Sequence, residues 1–173
     1  MSGNGENMVN KTTQSMKDIC VNLLQERGVQ IGDIVDIVYD LQKKYVTNLT
    51  RGVCEEAIGR VLGKREVQNA ILTGIELDML AEKNMLSEPL QTLISNDNPL
   101  YGIDEILVLS ICNVYGSIGL TNFGYVDKMK PGIIGKLDAL GKATNKCHTF
   151  LDDIIGAIAA AAASSVAHNA EED

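Results

Sequence analysis

Two adjacent aspartates, Asp152 and Asp153, stand directly in front of an uncharged run of small and aliphatic residues, Ile154 to Ala167 (IIGAIAAAAASSVA). Further upstream lie another acidic pair, Asp104 and Glu105, and a single carboxylate, Asp127. Hard divalent cations take oxygen ligands, commonly one or two carboxylates together with water and a substrate phosphate. Acidic residues at several helix starts can therefore converge on one Mg²⁺ or Mn²⁺, with one member of each pair facing the ion and the other holding a supporting contact. The same residues have a simpler use, because Asp and Glu in a first helical turn are stabilised by the helix dipole without doing chemistry.

The sequence YVDKMKPG adds a different element. Asp127 and Lys130 are three positions apart, on one face of a helical turn, and Pro131 ends that turn because it cannot continue the hydrogen-bond ladder. Lysine offers a point charge to phosphate, and aspartate offers metal or proton chemistry. A plain surface ion pair is the alternative. Between Asp127 and His148 the chain also places Lys128, Lys130, Lys136, Lys142 and Lys146 against Asp127 and Asp138, a basic stretch where an anion could sit or a solvated loop could run. Cys147 and His148 are adjacent, but zinc sites use four matched ligands and the partners are lacking.

The elements that must position these groups read as helices. Ile154 to Ala167 is apolar or small on every side, so as a helix it must be enclosed, and its length falls short of the roughly 20 residues that span a bilayer core. The protein interior is the expected enclosure. Thr149 and Asp152 read as a capping pair for this helix, which leaves Asp153 unexplained. Apolar residues recur at helical spacing over 12–28, 33–47, 53–63 and 65–85, and a short helix is expected from Ser87–Pro89 to Asn96. The run ILVLSICNVYGSIGL suits a strand or a helix, but it has no second strand to pair with, so residues 103–118 are read as helical. Residues 1–11 are polar and glycine-bearing and read as a disordered arm preceding a single all-helical domain over 12–173.

Composition narrows the classes. Of 173 residues 45% are hydrophobic and 22% charged, ordinary for one globular domain, and with no Trp and two Phe the core must be aliphatic. A net charge of −8 argues against a general nucleic-acid or anionic-membrane binder. Four dispersed cysteines without a Cys-x-x-Cys pair fit free thiols in a reducing, cytoplasmic setting. No Walker loop, G-x-S-x-G or H-E-x-x-H motif is present. Glu55, Glu56, Glu76 and Asp78 could supply an extra ligand, but each also reads as an ordinary helix-surface charge.

FGYVDKMKPGIIGKLD, followed by FLDDIIGAIAAA, resembles the C-terminal half of the phosphatidylglycerophosphatase A family, and YGIDEI resembles its upstream Asp-Glu motif. The matching positions are Asp104, Glu105, Asp127, Lys130, Pro131, Asp152, Asp153 and Gly156, within residues 100–168. The resemblance implies a Mg²⁺-dependent (or Mn²⁺-dependent) phosphatase that converts phosphatidylglycerophosphate to phosphatidylglycerol. Asp104, Glu105, Asp127, Asp152 and Asp153 would surround the metal, Asp127, Lys130 and Asp153 would carry the reaction, and Lys130, Lys146 and His148 would meet the substrate. The chain departs from membrane-embedded relatives in lacking long hydrophobic spans and an N-terminal Pro-Gly-Thr, and its loop from Lys142 to His148 is not glycine-rich. It looks like a shorter, soluble branch, with peripheral contact at the inner membrane face and homo-oligomers as open expectations. A phosphatase for a soluble phosphate ester and a non-enzymatic metal- or ligand-binding bundle remain alternatives.

Overall fold

The computed structural model describes residues 14–171, and their regular structure is helical throughout. The order is α1 (Met16–Glu26), α2 (Ile31–Gln42), α3 (Arg51–Leu62), α4 (Arg65–Glu82), α5 (Leu90–Ser95), α6 (Ile103–Cys112), α7 (Gly116–Met129), α8 (Ile133–Ala143) and α9 (Leu151–Glu171). The expected arm at residues 1–11 lies outside the described residues.

The alanine-rich helix α9 is the axle of an all-α bundle. It packs against α2, α3, α4, α6, α7 and α8, and every residue from Ile154 to Ser164 is buried. Alanine suits this place because it favours the helix and lets several neighbours approach. Ile154, Ile155 and Ile158 are fully buried, each contributing about 1.5–3 kcal/mol. Where α4 crosses α9 the fit is tight. A Cβ on Gly74 would stand 2.7 Å from Ile154 Cδ1 and 3.0 Å from both Leu107 Cδ2 and Phe150 Cβ.

Three sequence expectations are corrected. Residues 103–118 do not form one helix: α6 ends at Cys112, a 3₁₀ turn covers Asn113–Tyr115, and α7 begins at Gly116. Gly116 has φ +73°, a conformation that interrupts the helix and that residues with a Cβ rarely adopt. The second helix stops at Gln42 instead of continuing to Thr47, leaving Tyr45 81% exposed. The third correction concerns membrane-length stretches, which the sequence reading did not expect. Ile103–Met129 and Leu151–Ala170 are both long and apolar enough to cross a membrane by length and composition, the first with 28% of its most apolar window buried and the second with 83%. The second is the enclosed core helix, as expected.

The four cysteines Cys20, Cys54, Cys112 and Cys147 are free and buried, and burial pushes the Cys147 thiol up to about 11 and the Cys112 thiol up to about 12. Such thiols are poor nucleophiles and poor metal ligands.

Candidate active site

Lys130 is built into the end of α7 by its backbone. It caps the helix in the left-handed conformation (φ 45°, ψ 53°), and its N–H donates to Val126 O at 2.8 Å. A lysine held there costs about 1–3 kcal/mol of local strain, and the strain turns the chain ahead of Pro131. Its ammonium folds back over the last turn of α7. Nζ donates to Asp127 Oδ1 at 3.0 Å and to Asp152 Oδ2 at 2.8 Å, and lies 3.9 Å from Asp153 Oδ1.

The three aspartates come from two helices whose ends meet, α7 at its C-terminus and α9 at its N-terminus. With Asp104 and Glu105 from the first turn of α6 they line one open hollow of 240 Å³, closed on another side by the turn from Asp97 to Gly102. The structure thus brings all six residues named from the motifs, Asp104, Glu105, Asp127, Lys130, Asp152 and Asp153, to one place. Glu105 is exposed at its rim, and Asp104 and Asp127 are half-buried.

Electrostatics at this hollow are unusual for carboxylates. Burial raises the pKa of Asp153, the facing charge of Asp152 raises it further, and Lys130 offsets only part of this, with Asp127 and Asp104 adding to the rise. Asp152 is raised less, since Lys130 counteracts its burial. Burial disfavours the Lys130 ammonium, but the combined pull of Asp152, Asp127 and Asp153 exceeds that penalty and its pKa ends above the usual lysine range. Lys130 is therefore a fixed positive charge.

Among the described residues no three His, Cys, Asp or Glu side chains stand as a group that could hold a metal ion. The donor set still suits a hard dication. It is all oxygen, Asp104 Oδ1 is buried without a hydrogen-bond partner, and Asp153 lacks enough positive charge nearby to ionise readily. An added cation would answer both deficits.

Lys146 and His148 belong to a second pocket of 190 Å³ that shares Asp97, Thr149 and Asp152 with the acidic hollow. They are next to the cluster and not in it. His148 Nδ1 faces Leu137 O at 2.9 Å and must donate to it, while burial lowers the ring's pKa. The ring is thus neutral, with Nε2 as an acceptor, so it suits a hydroxyl or a protonated oxygen better than a bare anion. Lys146 is exposed, its Nζ 3.9 Å from Glu82 Oε2.

The expected cap at the start of α9 is replaced. Thr149 Oγ1 donates to Ile94 O at 2.7 Å instead of serving the helix. The acceptor is Asp78, fully buried on α4: its Oδ2 takes the N–H groups of Phe150 (3.1 Å) and Leu151 (3.0 Å). Asp78 is not the surface charge expected of it, whereas Glu55, Glu56 and Glu76 are exposed. A signal was present, since the buried stripe Val67, Ile71, Ile75 runs directly into Asp78 at helical spacing. Asp97, which lines both pockets, carried no such signal, because Asn96 to Pro99 reads only as a turn.

Comparison with known proteins extends the likeness well upstream of residue 100. The family model described as phosphatidylglycerophosphatase A matches residues 21–168. The chain is 60% identical over 147 residues to YutG of Bacillus subtilis, covering 85% of this chain and 87% of that one. It is 56% identical over 161 residues to YpjQ of the same organism, covering 93% and 89%. The crystal structure of ypjQ superposes with a TM-score of 0.85 at 57% identity over 91% of this chain and 96% of that chain. That of the low temperature requirement C protein from Listeria monocytogenes gives 0.87 at 55% identity over 92% and 99%. The chain belongs to the phosphatidylglycerophosphatase A family, and membership points to phosphatase chemistry.

Proposed function

We propose that this member of the phosphatidylglycerophosphatase A family is a metal-dependent phosphatase that hydrolyses the terminal phosphate of phosphatidylglycerophosphate. The observation that carries the reading is the hollow itself, where one fixed lysine charge and six carboxylates, Asp97 among them, surround a single space. Asp104, Glu105, Asp127, Asp152 and Asp153 would hold Mg²⁺ or Mn²⁺, which when bound supplies charge neutralisation at the phosphate and lowers the pKa of water. Lys130 meets a phosphate oxygen, held in place by Asp127 and Asp152. Asp153, ionised once the metal is bound, would take the proton that water gives up as its oxygen bonds to phosphorus, and would return it to the glycerol oxygen as the P–O bond breaks. Asp127 keeps the Lys130 ammonium aimed at the reacting group. Lys146 and His148 would contact the remaining polar headgroup in the adjoining pocket.

Support for a lipid substrate comes from the mouth of the hollow. Leu100 lines it fully exposed, and Ile103 and Ile106 are 53% and 62% exposed on the helix that supplies Asp104 and Glu105. Work at the inner face of a membrane, by a cytoplasmic protein in peripheral contact, follows from that reading, and a second copy of the chain is the other candidate cover for this face. A soluble phosphate ester is favoured by the other pocket, which is small and offers Asn96, Lys146 and His148 as polar contacts.

The test is phosphate release with Mg²⁺ or Mn²⁺ from phosphatidylglycerophosphate in mixed micelles and from glycerol 3-phosphate. Turnover of the lipid alone supports the proposal; turnover of the soluble ester alone replaces the substrate. A thermal shift with metal but no turnover of either leaves a binding module, because a ligand specific to the native state raises stability without reaction.

A further inference from the structure

Residues Cys147 to Leu151 run as a strap from α8 into α9, and apart from His148, which bonds Leu137 O, its polar groups are held from residues 27–94. The Arg27–Glu82 pair, nearly buried with contacts of 3.1 and 2.5 Å, grips Cys147 on both sides: Arg27 Nη2 donates to Cys147 O at 2.7 Å and Cys147 N–H donates to Glu82 Oε1 at 2.9 Å. Thr149 Oγ1 donates to Ile94 O, and the Cys147 thiol points to Asp78 Oδ1 and Ile94 O, each at 3.4 Å. Asp78 then receives Phe150 N–H and Leu151 N–H. The next residues are Asp152 and Asp153.

We propose that Asp78, together with the Arg27–Glu82 pair, is a positioning device for the active site, fixing the strap so that the Asp152–Asp153 pair projects into the hollow beside Lys130. A helix start buried in a protein must have its free N–H groups satisfied, and here the acceptor comes from a distant helix. The carboxylates of α9 are therefore placed by tertiary contacts. A helix turns about 100° per residue, so a one-residue slip of the strap would swing Asp153 out of the hollow. Backbone groups hydrogen-bonded to buried side chains have little room to slip. Asp78 touches neither Lys130 nor the hollow; it acts through the strap. This assigns a task in the reaction to the N-terminal half, and it rests on the metal-phosphatase reading only for its kinetic consequence.

The experiment compares Asp78→Ala, Asp78→Asn and Gln68→Ala with the parent chain. Asparagine keeps a carbonyl oxygen where Oδ2 accepts both N–H groups, and so serves as the rescue. Gln68 is a buried polar residue of α4 whose amide serves Leu62 O and does not touch the strap, and so reports simple destabilisation. Asp78→Ala is expected to raise amide exchange at 147–153 about tenfold or more over Gln68→Ala at matched stability. It should also weaken Mn²⁺ binding, read by electron paramagnetic resonance with the metal alone, and lower kcat, by roughly 10–100-fold, with Asp78→Asn recovering most of each. Exchange at the strap that rises no more than in Gln68→Ala overturns the clamp, whatever the activity. A parent chain with no metal binding or turnover defeats the phosphatase reading instead, and the exchange comparison still decides the clamp. If Asp78→Ala does not fold, Thr149→Val, which removes the anchor to Ile94 O, takes its place with the same readouts.

Discussion

Lys130 Nζ lies 2.8 Å from Asp152 Oδ2, a contact between the left-handed cap of α7 and the first turn of α9. It joins the basic and the acidic halves of the site, and it is the point at which two helix ends are locked together. The pair is asymmetric, since Asp152 is 10% exposed and Lys130 33%. Removing the lysine leaves the more buried member without its partner.

Lys130→Met is expected to destabilise the fold by about 1–3 kcal/mol. A fully buried pair that loses one partner costs about 3–5 kcal/mol, and the partial exposure of Lys130 screens part of that. Urea unfolding at neutral pH measures the loss. Phosphate release should fall by at least about 100-fold, because a charge aimed at the reacting oxygens is among the larger contributions to phosphoryl transfer. A variant with wild-type turnover would remove Lys130 from the reaction.

Asp153→Asn separates chemistry from stability. Metal-dependent phosphate release should disappear while the helical circular-dichroism signal persists. Because burial and the Asp152 charge disfavour ionised Asp153, the neutral amide should also raise stability without metal by roughly 1–2 kcal/mol, less than the full cost of an uncompensated buried charge. In a chain of this size that is a melting-temperature rise of about 2–8 °C. Loss of activity with a fall in melting temperature would indicate a structural role instead.

What the sequence revealed and what it hid divide along contact range. Asp127 and Lys130 meet within one helical turn, and the Asp-Asp pair precedes an unmistakable core helix, so both were legible from local spacing. That the hollow also takes Asp104 and Glu105 was expected from an acidic pair at a helix start and from the motif resemblance, although nothing in the local pattern says where α6 lies. The cap on α9 was misread for the same reason. Thr149 and Asp152 have the right types at the right spacing, but Asp78 is a better acceptor that arrives from far along the chain, and it frees Thr149 to bind Ile94 O. The break after Cys112 was hidden by an apolar run whose composition suits a continuous helix, although Gly116 marks it.

The pH dependence of stability has a definite sign. Asp78, Asp152 and Asp153 all bind protons more tightly in the folded chain than in the unfolded one: burial lifts Asp78 from 3.8 to about 7 against the pull of the Phe150 and Leu151 N–H groups, and it lifts both active-site aspartates. The folded state therefore holds more bound protons across this window, and stability from these groups falls as pH rises. Their contribution is full below the ordinary carboxylate range, and the Asp78 share is lost as pH rises through about 7. Urea midpoints measured from pH 5 to 8 without metal should decline, and the slope should flatten in Asp78→Asn and Asp153→Asn. Mg²⁺ or Mn²⁺ should reverse the decline at the alkaline end in the parent. A flat profile would show that these carboxylates are already compensated.

Gly74→Ala tests how tightly the strap and the axle helix are set against α4. The added methyl would meet Ile154 Cδ1 at 2.7 Å, where no ordinary contact exists, and Leu107 Cδ2 and Phe150 Cβ at 3.0 Å. The Ile154 methyl can rotate away, but Phe150 Cβ is fixed to the strap and can yield only if the start of α9 moves. Alanine favours a helix interior over glycine by about 1 kcal/mol, so a loose interface would make the substitution stabilising. Overpacking costs about 1–3 kcal/mol and is expected to outweigh that gain. The variant should therefore lose a net ~1 kcal/mol or so in urea unfolding. It should also bind Mn²⁺ more weakly than the parent, because the displacement passes through Phe150 to Asp152 and Asp153 two and three residues on. A more stable variant with unchanged Mn²⁺ affinity would show that α9 has room to adjust, and that its aspartates are not held as rigidly as the strap contacts require.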